Sequence, residues 1–352
     1  MKGKQSLDSL DVLYIELTTK CNLNCIHCGN EEKNAQELDL DLVEKLLHEF
    51  KEADGKKLVL TGGEPLMHPN IERILQMSSQ QPYNTKLSTN ATLLNQPRFG
   101  FVLDQDIGFR VSLDGTEEVH NEIRRDKNAY VNLIEAMKQM SKRRRQIVIR
   151  TTVMKKNKDS IVNMLFELDC ISQQGLSIYS INIWPIRDIG CAQQEQILSA
   201  QEYKGFLETL NKGTRGLNPN FRIIVGPTFG MEREFKGGPI QSNQIYRCDL
   251  LNTSVHISAS GEIYPCSFVH YSLGNVRKTS IRQIFRSKKA KEFRRLFLSE
   301  DNHDCAGCED YDSCRAGCIA ERYKELLVNP GQRVKDVYCF REPNLELKCT
   351  RT

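Results

Sequence analysis

No stretch of this 352-residue sequence approaches the roughly 20 consecutive apolar residues needed to cross a bilayer. The opening segment, MKGKQSLDSLDVLYIELTTKC, lacks the apolar region of a secretory signal. Both absences argue for a cytoplasmic protein with no membrane partner. Charge of one sign is also scarce: the net value is +4, too small to dictate a partner. Three basic clusters, Lys142–Arg145, Lys155–Lys158 and Lys288–Arg295, lack the aromatic interleaving that a single-strand groove uses for base stacking. A nucleic-acid partner is therefore not expected. The clusters read as solvated helix faces and strand ends, or alternatively as a surface for an acidic peptide or protein. Internal repeats and low-complexity tracts are absent as well, which excludes a solenoid or a disordered linker protein.

What the sequence does have is cysteine, 13 of them, an odd number in a long chain. Disulfide frameworks belong to short secreted domains, so thiolates here point to metal ligation or catalysis. Charged residues at 27% and hydrophobic residues at 39% fit a folded globular chain, and the length suits two domains.

Short β-like runs alternate with helical ones up to about residue 185. Strands are expected at Val12–Leu17, Lys57–Leu60, Asn84–Leu87, Gly108–Leu113, Gln146–Val153 and Tyr179–Trp184. Helices are expected near Leu40–Glu52, Asn70–Ser79, Tyr130–Ser141, Lys158–Ser172 and Ala200–Lys212. Strands separated by helices imply crossovers and a parallel sheet, and six units predict an α/β fold, a partial (β/α)6 TIM-like barrel. Polar clusters follow each strand: TTKCNLNCIHC, TGGEP, STNAT, SLDG and KKN. They therefore gather at the C-terminal strand edge, the reactive rim of such barrels. The barrel is expected to occupy 1–215, with a Gly-, Pro- and Asn-rich linker over 216–243. From 244 to 352 cysteines become dense and periodicity weak, as in a domain held by metal rather than by a core. A hairpin over Asn252–Pro265 is expected there, turning at Ser260-Gly261.

Cys21, Cys25 and Cys28 lie at x3 and x2 spacing in one loop. Three thiolates on a four-iron cluster leave one iron open, able to chelate a substrate or cofactor. The competing reading is a zinc site with His27 as fourth ligand. The loop resembles the C-x3-C-x-aromatic-C signature of the radical S-adenosylmethionine superfamily, with His27 at the aromatic position. That resemblance implies a four-iron, four-sulfur cluster on these cysteines, its open iron binding S-adenosylmethionine. Gly62, Gly63, Glu64 and Pro65 resemble the GGEP motif that contacts the cofactor's amino group. Ser88 and Asn90 resemble the polar end of the third strand, and Ser112 and Asp114 the fourth-strand residues near the ribose and carboxylate. Arg124 resembles the arginine that pairs with the carboxylate, a role suited to a guanidinium fork. The implied chemistry is reductive cleavage of S-adenosylmethionine to methionine and a 5′-deoxyadenosyl radical.

The C-terminal cysteines run Cys248, Cys266, Cys305-x2-Cys308-x5-Cys314-x3-Cys318, then Cys339. A zinc knuckle on the inner four would leave Cys248, Cys266 and Cys339 unexplained. The whole pattern resembles the seven-cysteine SPASM extension of peptide-modifying radical enzymes. By that resemblance Cys248, Cys266 and Cys318 hold auxiliary cluster I, and Cys305, Cys308, Cys314 and Cys339 hold auxiliary cluster II, making three [4Fe-4S] clusters in all. No cysteine lies between Asp249 and Pro265 to complete cluster I, so a distant ligand or an open iron is expected. Cys170, Cys191 and Cys349 remain; Cys191 follows the sixth strand, near the reactive rim.

The resemblance implies a maturase that cross-links, oxidises or excises part of a residue in a ribosomally made peptide or protein. Its electrons would come from a flavodoxin- or ferredoxin-type reductant. Sulfatase maturases place Asp directly after the second auxiliary cysteine, where this chain has Ser267, which argues against formylglycine formation. Only about ten residues precede the first strand, too few for a leader-recognition domain, so a separate recognition protein is expected. The alternatives are a radical dehydrogenase of a small alcohol or aminosugar, and a non-enzymatic iron–sulfur electron carrier. The GGEP and Arg124 matches count against the carrier.

Overall fold

The computed structural model describes residues 9–29, 35–188, 194–227, 235, 238–242, 253–298, 305, 308, 311, 316–328 and 336–339. Cys191, Cys248, Cys314 and Cys349 lie outside the described residues.

The six expected strands form within two residues at either end: β1 (Val12–Glu16), β2 (Lys57–Thr61), β3 (Asn84–Thr89), β4 (Gly108–Ser112), β5 (Ile147–Val153) and β6 (Ser180–Pro185). They are parallel neighbours in chain order. The long expected helices form too: α1 (Leu40–Glu52), α2 (Ile71–Ser79), α5 (Ala129–Lys142), α6 (Ile161–Gln173) and α7 (Ala200–Gly213). Two shorter ones, α3 (Gly100–Asp104) and α4 (Glu117–Arg124), carried no sequence periodicity strong enough to announce them. The result is a partial TIM-like barrel with a C-terminal module.

Five further strands extend this sheet. β7 (Arg222–Val225) and β8 (Ile240–Ser242) continue it in parallel beyond β6. Both lie in the stretch read above as a linker. They are short and set among Gly, Pro and Asn, so their only signal is parity: Ile223 and Val225 are fully buried. On the other side β9 (Ser254–Ile257) pairs in parallel with β1, in the register Val12↔Ser254 to Ile15↔Ile257. β10 (Glu262–Tyr264) and β11 (Gly274–Asn275) then pair antiparallel, giving an eleven-stranded sheet. The expected hairpin is therefore real, with Gly261 at φ +87° in its turn, but it is also the barrel's own edge. No helix among the described residues is long and apolar enough to cross a membrane.

Strand alternation divides the sheet into two faces. Leu13, Ile15, Leu60, Leu87, Val111 and Ile183 point outward and pack beneath the helices at 0% exposure. The opposite face lines the barrel lumen and is largely polar. α1 supplies Leu46 and Phe50 to the core, and its start is capped by Asp39, whose side chain accepts from Leu42 N at 2.9 Å. The same helix anchors the C-terminal module. Lys45 Nζ donates to Val276 O at 2.9 Å, Glu49 accepts from Ile281 N at 2.7 Å, and Asp39 pairs with Arg277. The short helix α8 (Ile281–Phe285) thus docks on α1, and α9 (Lys288–Leu298) and α10 (Ile319–Val328) follow.

Phe50 is fully buried with its ring 5.0 Å from that of Tyr83. Phe50→Ala should lower the unfolding free energy by about 3–5 kcal/mol, read as a shift of the denaturant midpoint at unchanged slope.

Candidate functional site

The loop after β1 carries Cys21, exposed, and Cys25 and Cys28, half-buried. Its course is set by backbone contacts and by Ile26, which packs against Ile123, Met154 and Ile186. Cys28 N donates to Cys25 O, and Ile26 N donates to Ile123 O at the end of α4. Two donors reach sulfur: Leu23 N lies 3.4 Å from Cys21 Sγ, and Arg124 Nη1 lies 3.6 Å from Cys25 Sγ. Burial pushes the Cys21 thiol up to about 11, with Leu23 N opposing. Among the described residues no three His, Cys, Asp or Glu side chains close on a single ion. Three sulfurs in one short loop, with donors aimed at two of them, fit an iron–sulfur cluster with one open corner.

Gly62 and Gly63 follow β2 and lie directly against the cysteine loop's root. A Cβ on Gly62 would sit 2.5 Å from Thr18 O, and one on Gly63 would sit 2.4 Å from Lys20 O. Only glycine permits this approach, which the ladder bonds Gly63 N→Thr18 O and Glu64 N→Lys20 O then hold. Glu64 is fully buried. Its carboxylate accepts from Thr89 Oγ1 and Asn90 N, each at 2.8 Å, and from Leu66 N at 3.2 Å. In this arrangement it fastens the ends of β2 and β3 together. Pro65 opens the short turn that follows. Asn90 Nδ2 reaches back to Asn22 Oδ1 at 2.9 Å, tying β3 to the cysteine loop, while Ser88 is half-buried on the lumen face.

Asp114 and Arg124 meet in a buried ion pair, Asp114 at 0% and Arg124 at 7% exposure. Asp114 also accepts from Thr152 N at 2.9 Å. Burial alone would raise the Asp114 carboxyl, but Arg124, with His27 and His120, outweighs it and holds the group below the usual carboxylate range. Asp114 is thus turned on Arg124, and Arg124 bridges it to Cys25. Among the described residues, buried Arg124 Nε and His27 Nδ1 find no hydrogen-bond partner. Burial lowers His27 to about 4, so the imidazole is neutral at physiological pH. Ser112 ends β4, half-buried on the lumen face.

A cavity of about 350 Å³ opens beside this loop. One wall is Cys28, Gly62 and Gly63; the other is His256, Tyr264, Ser267 and His270 from the C-terminal hairpin. His256 is pushed down to about 4 by burial and then by His270, and its Nδ1 has no hydrogen-bond partner. Sequence reading passed over these hairpin residues, since nothing local announces that β9 pairs with β1 and so puts His256 beside Tyr14.

Of the C-terminal cysteines, the structure brings Cys266 and Cys318 together, both buried and electrostatically coupled. Burial raises the Cys266 thiol to about 12. Cys305, Cys308 and Cys339 are half-buried, with Cys308 N donating to Cys305 O at 2.9 Å. Asp336 organises two of these segments. Its carboxylate accepts from Cys318 N and Tyr338 N, and its carbonyl accepts from Cys339 N. Arg187, just beyond β6, grips the same carboxylate with both Nη atoms at 3.0 and 3.2 Å and stacks over Tyr338. Arg187 and Asp336 are 149 residues apart, which is why no sequence pattern joined them.

Residues 15–168 match the radical SAM superfamily, and residues 248–309 match an iron–sulfur cluster-binding domain, SPASM. The AdoMet-dependent heme synthase of Methanosarcina barkeri is 25% identical, covering 93% of this chain and 95% of that one. The cysteine-type anaerobic sulfatase-maturating enzyme of Clostridium novyi is 24% identical, covering 89% and 88%. Among solved structures, Streptococcus suis SuiB bound to its precursor peptide SuiA superposes with a TM-score of 0.75 at 18% identity, covering 95% of this chain and 76% of that one.

Two predictions follow from this geometry. Burial raises Glu64 from 4.5 to about 7, so its contribution to stability is complete below pH 4.5 and is lost as pH rises through 7. Apoprotein stability should therefore fall between pH 5 and 7.5 more steeply in wild type than in Glu64→Gln, by denaturant titration at each pH. Gly317 has φ +78°, and a Cβ there would meet Asp336 Cβ at 2.3 Å. Gly317→Ala should displace Asp336 and lower the iron content of anaerobically reconstituted protein, while Cys170→Ala, on the outer surface of α6, should leave it unchanged.

Proposed function

The chain belongs to the radical S-adenosylmethionine superfamily and carries its SPASM extension, and from that premise we propose that it modifies a residue of a ribosomally made peptide or protein. In this reading Cys21, Cys25 and Cys28 hold the cluster that binds S-adenosylmethionine. Gly62, Gly63, Glu64, Pro65, Ser88, Asn90, Ser112, Asp114 and Arg124 form the bed for that cofactor. Cys248, Cys266 and Cys318 hold a second cluster, and Cys305, Cys308, Cys314 and Cys339 a third. The chemistry supplied when these groups are bound is one-electron cleavage of the sulfonium to methionine and a 5′-deoxyadenosyl radical, which takes a hydrogen atom from the substrate.

The chain's own residues position and insulate. Arg124, fixed by Asp114, turns a guanidinium towards the Cys25 sulfur, where an anionic cluster or a carboxylate gains from it. The two glycines let the turn after β2 close onto Thr18 and Lys20 at the root of the cysteine loop. His27, neutral because it is buried, adds no competing charge. The observation that carries the proposal is the shared cavity. Cys28 and the glycine pair form one wall and the SPASM hairpin the other, so a substrate between them would touch both the radical site and the auxiliary module. A peptide is favoured because SuiB is described with a bound precursor peptide and the Clostridium protein as a sulfatase-maturating enzyme. Leader recognition by a separate protein and a flavodoxin- or ferredoxin-type electron donor complete the proposal. A second reading, a small-molecule substrate, is favoured by the Methanosarcina heme synthase, which matches over nearly its whole length.

Reductive anaerobic incubation with S-adenosylmethionine should yield 5′-deoxyadenosine, and Cys25→Ala should reduce that yield by at least a hundredfold. Wild type should carry roughly twelve irons, three cubanes, per chain; about four would overturn the auxiliary assignment. Mass spectrometry of a co-expressed peptide encoded beside this chain tests the substrate: an unmodified peptide alongside abundant 5′-deoxyadenosine would favour the small-molecule reading.

A further inference from the structure

One imidazole in the wall of the shared cavity lacks a partner. β9 carries it. His256 pairs with Tyr14 on β1 and with Tyr264 on β10, so strand parity sends its side chain to the lumen face while Val255 and Ile257 pack into the core. His256 is 9% exposed and lines the cavity. Its Nδ1 is buried and finds no hydrogen-bond partner among the described residues. Burial, and then His270, lowers the group to about 4, so at physiological pH it is a neutral imidazole with one donor and one acceptor to satisfy. A buried polar group left unmatched is destabilising, and a ligand that enters the same space can supply the missing bond.

The neighbouring groups are aromatic or hydroxylic. The Tyr264 and His270 rings stack with centroids 5.7 Å apart and planes at 29°. Phe268, 42% exposed, reaches Gly29 beside Cys28, so closely that a Cβ on that glycine would sit 3.2 Å from the ring. Ser258 and Ser260 line the same space, their hydroxyls 2.8 Å apart. Among the described residues no Lys or Arg lines the cavity. Two carboxylates share the face of His256, and both are engaged. Glu16 accepts from Ala259 N at 3.3 Å. Glu262, which does not line the cavity, accepts from Ser272 Oγ and, at 2.8 Å, from Asn275 Nδ2. An anion brought here would meet a neutral ring and no counter-ion, and a full charge of either sign would be desolvated against that ring.

We infer that His256 determines specificity by hydrogen-bonding an uncharged polar group on the substrate residue held between the cysteine loop and the C-terminal hairpin. A site of this kind rejects an isostere that lacks the group, because the imidazole is then left unmatched. The chemistry has two sources, the hydroxyl of an aromatic ring lying among Tyr264, Phe268 and His270, or a side-chain carboxamide, and the test separates them. The inference rests on the proposed placement of substrate in the shared cavity.

Ligand-detected NMR on the reconstituted holoenzyme with S-adenosylmethionine present would compare blocked tripeptides, acetyl-Gly-X-Gly-amide, in isosteric pairs: Tyr against Phe, and Gln against Leu, with Glu and Lys as charged controls. Tyr should bind about fivefold more tightly than Phe, or Gln than Leu; the pair that discriminates identifies the source. The Glu and Lys peptides should bind more weakly than the favoured member of that pair. His256→Leu should abolish the discrimination, while His256→Gln, which keeps a hydrogen-bonding group, should retain most of it. If the leucine variant fails to fold, His256→Phe is read in its place. Equal binding within both pairs, discrimination that survives loss of the imidazole, or tightest binding of the Glu or Lys peptide would overturn the inference. So would a His256→Leu variant that binds S-adenosylmethionine more weakly and the peptides unchanged, which would assign the residue to the cofactor's bed. The spectral response of the wild-type clusters to S-adenosylmethionine is recorded separately. Its absence would sink the proposed function, whereas its presence without isostere discrimination would sink the His256 site alone.

Discussion

The parallel ladder between β1 and β9 is the constraint on which the rest of the arrangement depends. Four paired residues, Val12 to Ile15 against Ser254 to Ile257, make the C-terminal hairpin a continuation of the barrel sheet rather than an appendage. Parallel pairing fixes parity, and parity decides which side chains face the lumen. His256 therefore stands beside Tyr14, with Tyr264 paired to it on β10. A one-residue slip would turn His256 onto the helix-packed face and bring Val255 and Ile257 to the lumen in its place. The cavity shared by the cysteine loop and the hairpin exists only in this register. The contacts from α1 to Val276, Arg277 and Ile281 hold the same junction from behind.

Two electrostatic regimes share the barrel. At the rim, Asp114 and Arg124 form a compensated pair in a dry environment, costly to break because either partner alone would be a buried charge. Arg124 touches both Asp114 and Cys25, so the charge state of the cysteine loop and the geometry of the loop after β4 are coupled through one guanidinium. Deeper in the barrel Lys57 is lowered to about 8, first by burial and then by Arg110, Lys86 and Arg150.

The thiols follow a related logic. Burial raises Cys21 and Cys266 well above the ordinary thiol value, so both positions favour the proton until a cationic centre replaces it. Folding of the barrel itself does not require that replacement, since its core is apolar and closed around Leu13, Ile15 and Phe50. In the C-terminal module Asp336 ties Cys318 to Cys339 and to Arg187 of the barrel. Metal loading and domain docking are thereby linked through one carboxylate.

The sequence by itself determined the barrel's first six strands and its long helices. Each of these is written locally, in alternation, in amphipathic period or in spacing within one loop. The strands β7 and β8 escaped because three or four residues among glycines and prolines are too few to show a period. What only the tertiary structure decided is everything that joins distant segments: the β1–β9 ladder, the grip of Arg187 on Asp336, Glu64 facing into the β3 end, and four cations standing over Tyr14, Tyr179 and Trp184. Those cations are single residues on separate strands, unremarked in the sequence because strand parity has meaning only once the sheet has curled and a lumen exists for them to share.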